Sequence, residues 1–252
     1  MKKGILYIIL CLTGLPFAKA QQNQKFVPTV LVEFYTSEGC GSCPQADDFA
    51  TEIGRRADSL KMPVYTLDFH VDLWNQSGWV DPFSDSMFTK RQYAMALANN
   101  QKAMFTPMVF VNGQGALPAG ARGETGKLIE KHMTKPADRF LLFTASWAGA
   151  SNTMVFDYEI KGNTDSCSVY FAFAEKLIFN VPTGGENAGK KLSHHNVVRK
   201  LVRADQTTAM GSVSLPFASA QIDFSKYVVI GFLQHKRTGA ILAAQRLDFK
   251  AE

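Results

Sequence analysis

FYTSEGCGSCPQADDF, residues 34–49, sets two cysteines two residues apart, between an apolar run and a helix-like one. Upstream, 30–35 is an apolar run of strand length. Downstream, Phe49, Ile53, Ala57 and Leu60 recur at helical spacing, and Pro44 falls in the first turn, where its missing N–H does no harm. Cys40 therefore stands where a strand ends and a helix begins. The unsatisfied N–H groups of that helix terminus carry about half a positive charge. They favour the thiolate, the species that attacks disulfides. Cys43 follows one turn later, close enough to resolve a mixed disulfide, and Gly41 lets the chain turn tightly between the two. Asp47 and Asp48 lie in the next turn, where they mildly oppose the thiolate if they face it.

Working outward, 63–71 is a second strand, followed by a polar, tryptophan-bearing loop over 73–83. The spacing predicts a helix over 86–98 with Ser84 or Asp85 as its cap. A strand at 108–111, the turn Asn112-Gly113, a short strand near 116–119 and a helix over 124–133 complete the order β-α-β-α-β-β-α. That order predicts a compact α/β layer structure over 27–135. Beyond Lys135-Pro136 the rhythm changes. Short β-rich runs at 140–147, 153–160, 168–174, 197–202, 212–216, 227–234 and 241–249 are separated by Gly- and Asn-bearing turns. They predict an antiparallel, immunoglobulin-like sandwich over 138–252.

Residues 1–20 read separately. Lys2 and Lys3 precede a short apolar run, and Ala18-Lys19-Ala20 supplies a small-x-small cleavage pattern, as in a secretory signal peptide. The span is shorter than a membrane anchor needs. The predicted location is periplasmic or secreted, with no membrane anchor after cleavage. The leader carries three lysines and no acid, so its removal lowers the formal charge from +5 to +2: 24 basic against 22 acidic residues. With no basic arm and no aromatic–basic interleaving, nucleic acid is not the expected partner. Cys11 leaves with the leader. Cys40, Cys43 and Cys167 remain in a compartment where thiols usually pair.

A second feature supports redox chemistry: Thr106-Pro107 directly precedes the strand MVFV. In redox α/β domains of this layout such a proline is typically cis, with the residue before it facing the cysteine pair. FYTSEGCGSCPQADDFATEIGRR and FTPMVFVNGQGALPAGARGETGKLIEKHM together resemble a complete thioredoxin fold in order and spacing. Those stretches, with DFHVDLWNQSGWVDPFSDSMFTKRQ and GGENAGKKLSHHNVVR, are similar to the secreted thioredoxin-like family catalogued as domain of unknown function 1223. The resemblance covers nearly the whole mature chain. It implies an α/β thioredoxin-like domain followed by a β-rich one, and no settled reaction.

The expected function is a thiol-disulfide oxidoreductase acting on protein thiols and disulfides. Cys40 attacks, Cys43 resolves, Thr106 and Pro107 form a backbone platform, no cofactor is required, and a redox partner recharges the pair. A non-enzymatic binding or metal-handling module is the alternative, in which two thiolates with His70, or His70 and Asp72, hold Cu(I) or Zn. His70 ends the second strand, where it either shuttles a proton to the leaving thiolate or orders the following loop. Asp68 shares its face of the strand. Trp74 and Trp79 either form an apolar lip near the sulfurs or pack the loop on its own domain. Glu186, Asn187, His194, His195, Asn196 and Arg199 concentrate between strands. They either form a site, dock one domain on the other, or bond a structured loop to its own backbone. Cys167 is expected to be a buried apolar filler, and His132 and His235 to be surface or helix-end residues.

Overall fold

The computed structural model describes residues 25–118, 120–204, 207–219 and 221–249, so the signal-peptide segment lies outside the described residues. Strand β1 (Val30–Thr36) is buried throughout and leads through the cysteine turn into helix α1 (Pro44–Ser59), with Cys43 as N-cap and Pro44 in the first turn. Strand β2 (Val64–His70) runs parallel to β1, with Val30 opposite Val64 and Thr36 opposite His70. Helix α2 (Ser86–Ala98) starts at Asp85, whose side chain accepts the Met87 N–H at 2.8 Å. Strands β3 (Met108–Val111) and β4 (Gln114–Pro118) add to the other edge of β1, and α3 (Arg122–Met133) follows.

The second half supplies β5 (Phe140–Ala148), β6 (Thr153–Lys161), β7 (Cys167–Asn180), β8 (Leu192–Arg203), β9 (Met210–Pro216), β10 (Tyr227–His235) and β11 (Ile241–Asp248). Only β5, β6 and β9 form a separate sheet. The other strands join the first half in one mixed sheet of order β11-β10-β7-β8-β2-β1-β3-β4. This corrects the expectation of an α/β thioredoxin-like domain followed by an immunoglobulin-like sandwich: the molecule is a single domain built on one eight-stranded sheet. The physical reason lies in β7 and β8, which run well past the predicted 168–174 and 197–202. Their extension carries β8 alongside β2 in parallel, with Val197 opposite Asp68 and Asn196 Nδ2 donating to Thr66 O at 3.2 Å.

Each face of the shared sheet is covered differently. On one face α2 lies across the junction. It packs Phe88, Met95 and Ala96 against Leu67, Phe69 and Phe110 of the first half and against Ala172, Val198, Ile230 and Phe232 of the second. Arg91 of α2 is buried there with Phe69, Tyr170 and Phe232 around its guanidinium, and it pairs with Glu33 at 2.7 Å. On the opposite face, α1 and α3 cover β1 and β3, while the three-stranded sheet covers β7 and β10. A backbone contact ties the far edge, where a Cβ at Gly113 would overlap the Gly239 carbonyl.

Candidate redox site at the strand-to-helix turn

The end of β1 delivers Thr36, Ser37 and Glu38, all buried, and the chain then turns through the cysteines. Cys40 and Cys43 are joined by a disulfide, with Cα atoms 5.4 Å apart. Cys40 is 2% exposed and Cys43 fully buried, so any attack from solvent begins at Cys40. The Cys43 N–H donates to Cys40 O at 3.1 Å and closes the turn. Cys40 Sγ lies 3.7 Å from Thr106 O, which can accept the S–H once the bridge is reduced, and 3.6 Å from Ser42 Oγ. The Thr106–Pro107 peptide is cis. Trp74 Nε1 donates to Thr106 Oγ1 at 2.6 Å, fixing the platform to the loop after β2.

Behind the turn, between α1 and the sheet, lies a buried polar layer. His194 of β8 bridges two acids: Nδ1 to Asp47 Oδ2 and Nε2 to Glu38 Oε1, each at 3.1 Å. Burial alone would lower the His194 pKa, but hydrogen bonds to Asp47 and Glu38 and their charges push it up to about 10. The imidazolium is thus held between carboxylates at neutral pH. Asp47 also accepts from Thr36 Oγ1 at 2.7 Å, and it sits one helical turn after Cys43, on the same face of α1. The His70 ring meets His194 edge-on at 4.7 Å, and its Nδ1 bonds Asp81 Oδ2 at 2.7 Å. Against the raising effect of burial, His70 and the amides of Glu38 and Phe83 hold Asp81 below its ordinary pKa. Asp68 is fully buried with no side-chain hydrogen-bond partner, its nearest polar support being the His195 backbone amide. Burial, reinforced by Asp47 and opposed by His194 and the His195 amide, pushes its pKa well above the usual carboxylate range.

The arm formed by the end of β7, the loop after it and the start of β8 completes the site. Asn180 Nδ2 donates to both Glu38 oxygens at 3.0 and 2.9 Å. Asn187 Nδ2 donates to Glu38 O and Cys40 O, both at 2.9 Å. The Gly41 N–H donates to Glu186 Oε2 at 2.8 Å, and a Cβ on Gly41 would overlap that carboxylate. Gly184 passes so close to Gly78 that a Cβ would overlap the Gly78 carbonyl. Gly54 of α1 leaves room for the His195 ring.

Several sequence candidates therefore converge. Cys40, Cys43, Thr106 and Pro107 meet at the turn, whereas His70 is directed to Asp81 and packs against His194. Asp72 bonds Thr89 Oγ1 at 2.5 Å, in the loop region rather than beside the cysteines. Trp74 and Trp79 tie their loop to Thr106 and to Glu38 Oε2 (2.9 Å) through their indole N–H groups. His194, His195 and Asn196 lie on a strand, not on a loop bonded to its own backbone. Arg199 stacks over Phe83 at 5.1 Å and approaches Glu175 at 3.9 Å. Cys167 is a buried free thiol whose pKa burial raises. Among the described residues no group of three or more His, Cys, Asp and Glu side chains is placed to hold a metal ion. Sequence reasoning missed Glu38, Asp81 and Asn180. Glu38 had one local signal: an acid inside the cysteine motif at a position the strand-to-helix turn buries.

Among solved structures, the chain is similar to protein AGR_C_4864 from Agrobacterium tumefaciens, at 24% identity over 91% of this chain and 99% of that one, with a TM-score of 0.65. It is also similar to HBP35 of Porphyromonas gingivalis, at 15% identity over 90% of this chain and 77% of that one, with a TM-score of 0.64. At these identities the likeness establishes the fold alone. No curated protein matches the sequence. The family model described as a protein of unknown function, DUF1223, matches residues 31–234, so the motifs gathered around the Cys40–Cys43 turn sit in a chain that belongs to the DUF1223 family.

Proposed function

We propose that the chain is an exported thiol-disulfide oxidoreductase acting on protein substrates. The observation that carries this is the Cys40–Cys43 bridge at a strand-to-helix turn, with Cys40 Sγ against the Thr106 carbonyl and an acid–imidazole layer behind Cys43. A bridge this short constrains the unfolded chain little, so structural stapling is a weak reason for its presence. The leader-like residues 1–20 and a disulfide together support a location outside the cytoplasm.

In the reducing direction, the Cys40 thiolate attacks one sulfur of a substrate disulfide. That forms a mixed disulfide and releases the other sulfur, which takes up a proton. Cys43 loses its proton and attacks Cys40 Sγ. The internal bridge re-forms and the second substrate thiol departs, so two electrons pass from the dithiol to the substrate. A dithiol donor then recharges the pair. With a disulfide acceptor in its place, the same steps run in reverse and oxidise the substrate.

The rival, a passive bridge in a non-enzymatic module, draws on the burial of both sulfurs. Measurement of the dithiol reduction potential, with insulin-reduction and oxidative-refolding assays on the parent and on Cys40→Ser, separates the two. Turnover by the parent that is absent in Cys40→Ser is expected. An inactive parent whose bridge resists dithiothreitol overturns the proposal.

A further inference from the structure

Cys40 has only 2% of its surface exposed, yet the turn that holds it is not sealed by hydrophobic core. On its solvent side, one exposed side chain is bonded to the residue that follows Cys40. Glu186 reaches from the loop between β7 and β8 and accepts the Gly41 N–H at 2.8 Å, and Gly41 has no side chain where that carboxylate sits. The rest of the loop is anchored independently of Glu186. Asn187 is fully buried on the carbonyls of Glu38 and Cys40, Lys190 Nζ donates to Asn187 Oδ1 at 2.9 Å, and the Gly189 N–H donates to Pro182 O at 2.8 Å. The loop is therefore fixed at its base without help from the Glu186–Gly41 bond.

A carboxylate bound to an amide of this turn has two effects. It occupies the rim of the turn at Gly41, the residue next to the sulfur that an incoming thiol must reach. It also spends on itself an N–H whose partial charge would otherwise favour a neighbouring thiolate. Glu38, Asp47 and the His194 imidazolium act from the buried side, and Glu186 acts from the solvent side.

We infer that Glu186 is a positioning residue that keeps the redox turn closed. Its carboxylate restrains both access to Cys40 Sγ and ionisation of the Cys40 thiol until it withdraws from Gly41. This rests on the proposal that Cys40 is the attacked sulfur and adds the group that governs when it can be attacked.

The test uses the full chain as parent, Glu186→Gln and Glu186→Ala. One measurement is the rate at which dithiothreitol reduces the oxidised protein. The other is thiolate absorbance against pH in the reduced protein. Both variants are expected to be reduced severalfold faster than the parent and to ionise at lower pH. Alkylation at neutral pH should rise roughly threefold for each unit of that shift, because the gain in thiolate is partly offset by lower intrinsic nucleophilicity. Gly41→Ala provides an independent variant: its methyl displaces Glu186 without removing it, and the same acceleration is expected. Parental reduction rates or parental ionisation in Glu186→Ala overturn the inference. A bridge that opens faster in the variants while no form of the protein reduces insulin or supports oxidative refolding leaves the closure standing and removes the oxidoreductase proposal instead.

Discussion

The cysteine-turn end of the layer between α1 and the sheet and the layer between the two sheets lie on one face of the large sheet yet are built from opposite chemistry. Between the sheets, Phe143, Phe156, Phe171 and Phe173 interlock, with Phe156 and Phe171 stacked at 4.6 Å. Under α1, the apolar cluster of Val30, Val32, Phe34, Phe49 and Ala50 gives way, toward the cysteine turn, to Thr36, Asp68, His70 and His194. Burying paired charges is roughly neutral at best for stability, and burying an unpaired carboxyl is a cost. One end of the sheet is thus spent on packing and the other on holding charge beside a disulfide.

Substitutions sharpen that contrast. The largest effect is expected at Phe171→Ala, which empties the aromatic stack and should cost about 3–5 kcal/mol in denaturant titration while leaving the Cys40–Cys43 reduction potential at its parental value. A shifted potential there would mean that the two layers are not separable. His194→Gln should cost about 3 kcal/mol at pH 7, the low end for a broken buried ion pair, because Thr36, Trp79 and Asn180 still satisfy the stranded carboxylates. It should also move the potential.

The pH dependence follows from the raised His194 pKa. Its contribution is fully present below the unfolded value near 6.5 and is lost as pH rises through about 10. The parent should therefore lose up to about 1.4 kcal/mol of stability per pH unit across that window, and His194→Gln should lose this slope. Equal slopes in the two proteins would contradict the bridged imidazolium.

Asp68→Asn should act in the opposite direction. A carboxyl with a raised folded pKa contributes stability only below its unfolded pKa near 3.9, and that contribution disappears as pH rises through the folded value. Substituting a neutral isostere should therefore stabilise the protein at pH 7, by about 1–3 kcal/mol, read as a raised denaturation midpoint. A destabilised Asp68→Asn would mean that the carboxyl is held by more than the His195 amide. The smallest effect belongs to the surface pair Arg122–Glu52, about half exposed on both sides, where Glu52→Gln should change stability by no more than about 0.5 kcal/mol.

Most elements were legible because each is a local pattern. The helix over 86–98 and the strand at 108–111 match the observed α2 and β3 end to end, and the alternation in TMVFDYEIK appears as alternating burial along β6. The cysteine turn was legible for the same reason. What the sequence concealed was pairing across long separations. GGENAGKKLSHHN reads as a loop because its polar residues suggest solvent, but Asn180, Asn187 and His194 turn inward to Glu38 and Asp47, more than 130 residues away in the chain. Local periodicity assumes that polar means outside. The assumption fails where a strand faces another buried polar surface, and with it failed the division into two domains.

Arg91 carries a consequence of its own. A single guanidinium wedged among three rings drawn from both ends of the chain works as a rivet, and a rivet has no function in half a joint. Severed near residue 137, either piece would expose to water the greasy surface that α2 now hides. The half that carries the cysteine motif is therefore not a portable module.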